Sequence, residues 1–278
     1  MRVRWVISDD GSMSPDEVIV LFFAAVFDAV FWARFYVALH GTSRLYRNAW
    51  HVRLLGFTPP LLVSLLFFVL LSWADPIVRG SVGYLLLFAL VGAAWMALVL
   101  SALPLFGLSF RDDVLETNNP AAATAVSGAL AGSMLSYCGS NVGSGRTIWT
   151  TLGPALLSLG LFFAAFWLLE RFAHCSEAVT IDRDRAAGLR LGGFLIATGA
   201  ILGRSAAGDY RSVWDTCDDL ARGSAVVLGF LVVAVIGHRA TQPTPARPSP
   251  PLFSSGVLVA SAYLGASAAW VLATLPVR

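Results

Sequence analysis

The chain is 278 residues long, 57% hydrophobic and only 13% charged, with a formal net charge of +2 and a mean hydropathy of +0.72. An ordinary soluble domain carries ~25% charged residues, so this composition excludes a soluble globular domain. The small net charge gives no basis for nucleic-acid binding.

What remains is an all-α polytopic membrane protein. All 19 cations are arginines, which reads as GC-rich codon usage. Cys138, Cys175 and Cys217 are widely spaced and form no C-x-x-C pair, so free thiols are expected, with neither a disulfide framework nor a metal site. No cofactor is implied.

The opening MRVRWVISDDGS has no apolar core and no small-residue cleavage site, so the first span is expected to be retained. In Ser14-Pro15-Asp16-Glu17, Ser14 suits an N-cap, Pro15 the first helical position and Glu17 the reciprocal contact of a capping box. Met13, directly ahead of that cap, suits an alternative initiator to Met1.

A bilayer span must satisfy its backbone amides internally and takes ~20 mostly apolar residues. That criterion predicts eight helices, over residues 18–39, 54–73, 82–106, 120–138, 148–169, 186–202, 221–237 and 252–275. Ser, Thr, Gly or Arg interrupts the fourth and sixth, which predicts burial among the others. TQPTPARPSPP, residues 241–251, reads as a stiff polyproline-like connector.

The expected organisation is a two-span N-terminal extension (1–81), a first helix-pair repeat (82–147), a second repeat region of three spans (148–240), the linker (241–251) and a last span (252–278). Arginines flanking the spans favour one side modestly. Arg44, Arg47, Arg53, Arg111, Arg171, Arg183, Arg185, Arg239 and Arg247 stand against Arg79, Arg146, Arg204, Arg211, Arg222 and Arg278, with Arg2 and Arg4 if the upstream start is used. The bias places the odd-numbered loops in the cytoplasm and both termini outside.

Sliding the chain along itself finds a match when Pro120 is laid over Arg185, a shift of 65 residues. Ala121, Ala122, Gly128, Leu130, Ser140 and Gly143 then fall on identical residues, and Trp149 falls on Trp214. The shift spans two helices, so the copies are parallel repeats. On the fourth helix Thr124, Gly128, Gly132 and Ser136 recur every fourth residue, and the sixth offers Gly188, Gly192 and Gly193. Such small faces allow close helix packing; the sharper reading is room for a solute path between the copies.

Asn119 and Asp184 sit at the matching N-cap positions. Asp112, Asp113 and Glu116, and Asp182 in the second copy, lie near these positive helix ends, and with Asn118 they make either plain caps or a cation-binding vestibule at the start of both copies. Asp28 lies midway along the first span, where an ionisable group is costly and marks function. Its two readings are a proton- or cation-coupling carboxylate and a static tie, for which Arg190 is the candidate partner unless it snorkels. Arg204 and Asp209 flank the far end of the sixth helix as a candidate lid. Asp215, Asp218 and Asp219 read as a helix-start charge run before a cation site, and Phe22, Phe23, Phe27 and Phe31 as a lipid or packing stripe.

Glu116-Thr117-Asn118-Asn119-Pro120-Ala121-Ala122-Ala123, Asp184-Arg185-Ala186-Ala187-Gly188 and Gly203-Arg204-Ser205-Ala206-Ala207-Gly208-Asp209-Tyr210 resemble the YjfL-like family of bacterial inner-membrane proteins. That is a domain of unknown function built from duplicated helix pairs, and the resemblance runs over residues 82–237. The copy departs at Asp184-Arg185, where the family more often has Asn followed by a small or apolar residue. The resemblance implies an inner-membrane location and a link to envelope-stress modules, and brings no established activity.

The histidines do not cluster, and H-E-x-x-H, P-loop and dinucleotide motifs are missing, so no enzyme is expected. Two readings stand. One is a transporter or channel for a small ion or solute. The other is a scaffold in the lipid bilayer that assembles as a homo-oligomer and recruits cytoplasmic envelope-stress proteins.

Overall fold

The computed structural model describes residues 13–41, 49–144, 147–241 and 251–275. Met1, Arg2, Arg4, Arg44, Arg47, Arg146, Arg247, Arg278 and most of the Pro-rich linker lie outside the described residues. Among the described residues, eight helices are long and apolar enough to cross a membrane, and no strand occurs. The protein is an integral, multi-pass membrane protein.

The long helices are α1 (Pro15–Gly41), α2 (Trp50–Trp73), α3 (Val82–Ala102), α4 (Pro120–Ser140), α5 (Ile148–Ala173), α6 (Arg185–Ala206), α7 (Val213–Ala240) and α8 (Leu258–Ala273). All eight expected spans are present. Helices α1, α2 and α7 start three to eight residues earlier than hydropathy alone suggested. Helix α1 begins at Pro15, where Glu17 Oε2 accepts the Ser14 N–H at 3.0 Å, half of the expected capping box; the Ser14 hydroxyl turns to Asp16 instead. Helix α7 begins at Val213, because Ser212 caps it by accepting the Asp215 N–H and an acidic first turn suits a positive helix end. Hydropathy sees only the membrane-immersed part of such a helix.

The 65-residue shift is written into the backbone. Asn118 (φ 55°) and Arg183 (φ 53°) both take the left-handed conformation, as do Gly143 (φ 115°) and Gly208 (φ 143°). Asn119 and Asp184 cap α4 and α6 by accepting the N–H two residues on, at 2.9 and 2.8 Å. Short helical turns, Phe110–Glu116 and Cys175–Thr180, precede those caps. Thr147 and Ser212 cap the helices that follow.

Helices α4 and α6 form the core. They run parallel, from Ala121 beside Gly188 at one end to Gly139 beside Gly203 at the other. Helices α2 and α3 pack on α4, α7 and α8 pack on α6, and α5 touches both. Helix α1 lies against α3 and presents Phe22 and Phe23 outward, 64% and 66% exposed, the surface expected of a lipid face.

Candidate functional site

The small-residue faces meet as expected, Gly128 against the Gly192 backbone and Gly188 against Ala121. Gly132 meets the Leu195 carbonyl, and Gly192 lies beside the Thr124 carbonyl. Gly193 turns the other way, towards Ala260 of α8. A methyl group added at Gly128, Gly132, Gly139, Gly188, Gly199 or Gly203 would strike the facing backbone. The two copies therefore touch main chain to main chain, which corrects the expectation of room for a solute between them.

At the end where α4 and α6 start, each candidate polar group already has a protein partner. Asn119, wholly buried, accepts from the Ala121 and Ala122 N–H groups and donates to the Val179 carbonyl at 2.7 Å. Asn118 Oδ1 lies 2.5 Å from His51 Nε2. Glu116 faces solvent in an exposed pair with Arg111 at 3.3 Å. The neighbouring Asp113 carboxyl is pushed up by burial, an effect opposed by the Ser109 N–H that it accepts at 2.7 Å.

Arg190 neither snorkels nor meets Asp28. It is 4% exposed, donates Nη1–H to the Ser255 carbonyl at 2.9 Å and pairs through Nη2 with Asp184 at 3.5 Å. The N-cap carboxylate of its own helix thus takes the role expected of Asp28. His238, also buried, belongs to the same electrostatic cluster and leaves Nε2 unpartnered.

Asp28 stands apart from all of these. It lies on the single buried stripe of α1, with Ala24, Phe35 and Leu39, and is 6% exposed. Neither carboxyl oxygen completes a hydrogen bond, but the Trp32 indole N–H, one turn on, lies close enough to interact with the carboxyl; the Trp95 indole N–H is unpartnered. Tyr84 donates to Glu17 at one end and Phe35 stacks near Phe110 at the other, so α1 and α3 run parallel. Asp28 and Trp95 each lie eleven residues beyond that Glu17–Tyr84 contact, at one depth about 16 Å along.

At the opposite end, where α4 and α6 finish and α5 and α7 begin, a cavity of about 180 Å³ opens between the two copies. The Gly208 N–H donates to the Val142 carbonyl at 2.9 Å, and Asp209 Oδ1 accepts the Ser144 N–H at 2.9 Å. Hydrogen bonds from Ser144 hold the Asp209 carboxyl below its usual range. Asp209 thus clasps one repeat loop to the other, while Arg204 donates to the Thr274 carbonyl at the end of α8.

The family Domain of Unknown Function (DUF350) matches the chain twice, over residues 72–205 and 145–273. The chain belongs to the DUF350 family. No curated protein and no solved structure matches it. The first DUF350 match takes in α3 to α6 and the second α5 to α8, so the two share α5 and α6. The second also runs past residue 237, where the recognisable motifs stop, through α8.

Several tethers within and beside the DUF350 region escaped sequence reasoning. Glu17 does more than cap, since its buried carboxylate accepts from the Tyr84 hydroxyl at 2.9 Å and the Ile148 N–H at 3.2 Å. Tyr137 donates to the Phe88 carbonyl at 3.0 Å, and the Ser136 and Ser158 hydroxyls bond at 2.7 Å. The 65-residue shift, followed past the helices into their loops, was the one available signal for the loop-to-loop clasp.

Proposed function

We propose that this DUF350 protein is a carrier or channel for a small cation in a bacterial inner membrane, both termini outside, with Asp28 as its coupling carboxylate. One observation carries the reading: midway along a membrane-spanning helix, a buried carboxyl has no cationic partner among the described residues and completes no hydrogen bond, with only the Trp32 indole N–H beside it. Such a group costs several kcal/mol unless it is protonated or holds a cation. Exchange between those two states is the elementary step of cation coupling. With the α4–α6 contact closed, the path runs along the α1–α3 interface.

Flux of protons, alkali cations and divalent cations in proteoliposomes tests this, comparing wild type with Asp28→Asn at matched reconstitution. Flux falling at least tenfold in a folded Asp28→Asn protein is the expected result. Equal flux in the variant, or none from folded wild type, overturns it.

The second reading is a non-transporting scaffold, favoured by the backbone-to-backbone closure of α4 on α6. On that reading Asp28→Asn is silent, and a homo-oligomer co-purifies with cytoplasmic envelope-stress partners. Neither reading gives the protein a catalytic activity.

A further inference from the structure

The cavity between the repeat loops is lined by matching positions of the two copies: Ser140 with Ser205, Gly143 with Gly208, Thr151 with Thr216. Where the copies differ, the second carries the carboxylates, Asp215 opposite Thr150 and Asp219 opposite Pro154. Asp219 is paired with Arg222 at 3.3 Å, and Asp209 is held by Ser144 with Arg211 close by. Asp215 accepts the Ser212 hydroxyl at 2.8 Å and, among the described residues, faces no cation within ion-pair distance.

A second, independent observation concerns buried acceptors. Thr151, 3% exposed, lines the cavity, and its hydroxyl makes no hydrogen bond among the described residues. Its neighbour Thr150 shows the usual alternative, donating to the Thr147 carbonyl at 2.7 Å. Asn141, 6% exposed, gives its amide N–H to the Tyr137 carbonyl, leaving the side-chain oxygen without a donor. The backbone N–H groups of Ile148, Thr150 and Asp215 are spent on Glu17, Thr147 and Ser212, and among the described residues Arg211 is the one cation in the lining against the three carboxylates Asp209, Asp215 and Asp219. The carbonyl ends of α4 and α6 converge there as well, adding negative potential.

We propose that this cavity binds a small cation that donates hydrogen bonds, with Asp215, Thr151 and Asn141 receiving them. That chemistry belongs equally to the ammonium group of a compact amine and to a hydrated divalent ion. Among the described residues no three His, Cys, Asp or Glu side chains converge on a bare ion. Recognition therefore runs through N–H groups or metal-bound water, as suits Mg²⁺, which keeps much of its water shell. A volume of about 180 Å³ accepts either cation and lies below the ~300 Å³ at which drug-sized pockets begin.

Isothermal titration calorimetry on the full chain in detergent, with MgCl₂ and 1,4-diaminobutane as separate probes, tests the site. Saturable one-site binding of either probe is expected, at least tenfold weaker in Asp215→Asn and severalfold weaker in Thr151→Val. Thr151→Val keeps the side-chain shape should Asp215→Asn fail to fold. The probe that saturates identifies the source of the cation. Failure of both probes to saturate wild type, or equal affinity in the folded variants, overturns the proposal. Asp28→Asn leaves this binding unchanged, so the result stands apart from the transport reading.

Discussion

Asn119 does work that no other residue type can do in its place. Its carbonyl oxygen takes the two N–H groups that open α4, and its amide reaches across to the Val179 carbonyl in the second copy. Asp184 repeats the cap but has no proton to donate, and its free oxygen meets Arg190 instead. Asn119→Ala loses a cap, typically worth ~1 kcal/mol, and strands a carbonyl at ~1–3 kcal/mol. We expect a combined loss of about 2–4 kcal/mol, measured by denaturant or thermal unfolding in detergent. Asn119→Asp separates the two contributions, since it retains the cap and loses the cross-copy donor. A fully stable Asn119→Asp protein would show that the Val179 contact contributes nothing.

At the scale of elements, α4 and α6 are apolar enough to insert yet too rich in small residues to favour lipid over each other. In a bilayer, association rests on close packing more than on expelling water, and the paired glycines supply that packing. Gly199 and Gly139 lie against the main chain of Gly132 and Gly203. Gly160 of α5 has nothing within 4 Å of where a methyl would sit. Gly199→Ala and Gly139→Ala should each destabilise the bundle by roughly 3 kcal/mol or more, as overpacking against rigid backbone does. Gly160→Ala should be neutral or stabilising by up to ~1 kcal/mol. Equal unfolding curves for the three would remove the contact between copies as the source of core stability.

Over the whole molecule, α1 is attached differently from the rest. Its outward face is apolar and exposed, and its buried stripe lies mainly on α3. The pin is Glu17, which joins α1 to α3 through Tyr84 and to α5 through the Ile148 N–H, beside an Asp16–Trp149 bond at 2.9 Å. Glu17→Ala removes the contacts with Ser14, Tyr84 and Ile148 at once. We expect faster hydrogen exchange and protease cleavage confined to α1 while α4 and α6 stay protected, the pattern of a local opening. Uniform protection in Glu17→Ala would refute the pin. Loosening α1 also bears on transport, because the proposed path runs along the face that Glu17 holds shut.

Class, span number and the duplication with its 65-residue phase were legible in the sequence. A bilayer tests hydropathy over ~20 residues at a time, and a repeat shows itself by comparing the chain with itself. Caps such as Asn119 and Asp184 were legible too, since a cap is made within three residues. The fates of the polar groups were not. Asn119 and Val179 are 60 residues apart, and Glu17 and Ile148 are 131 apart. Arg190 stood as a candidate partner for Asp28 unless it snorkelled, but it is taken by Asp184 and Ser255. Hydropathy and repetition are properties of a segment. Whether a carboxyl or a glycine face is free depends on which helices fold against it, and that only the tertiary structure decides.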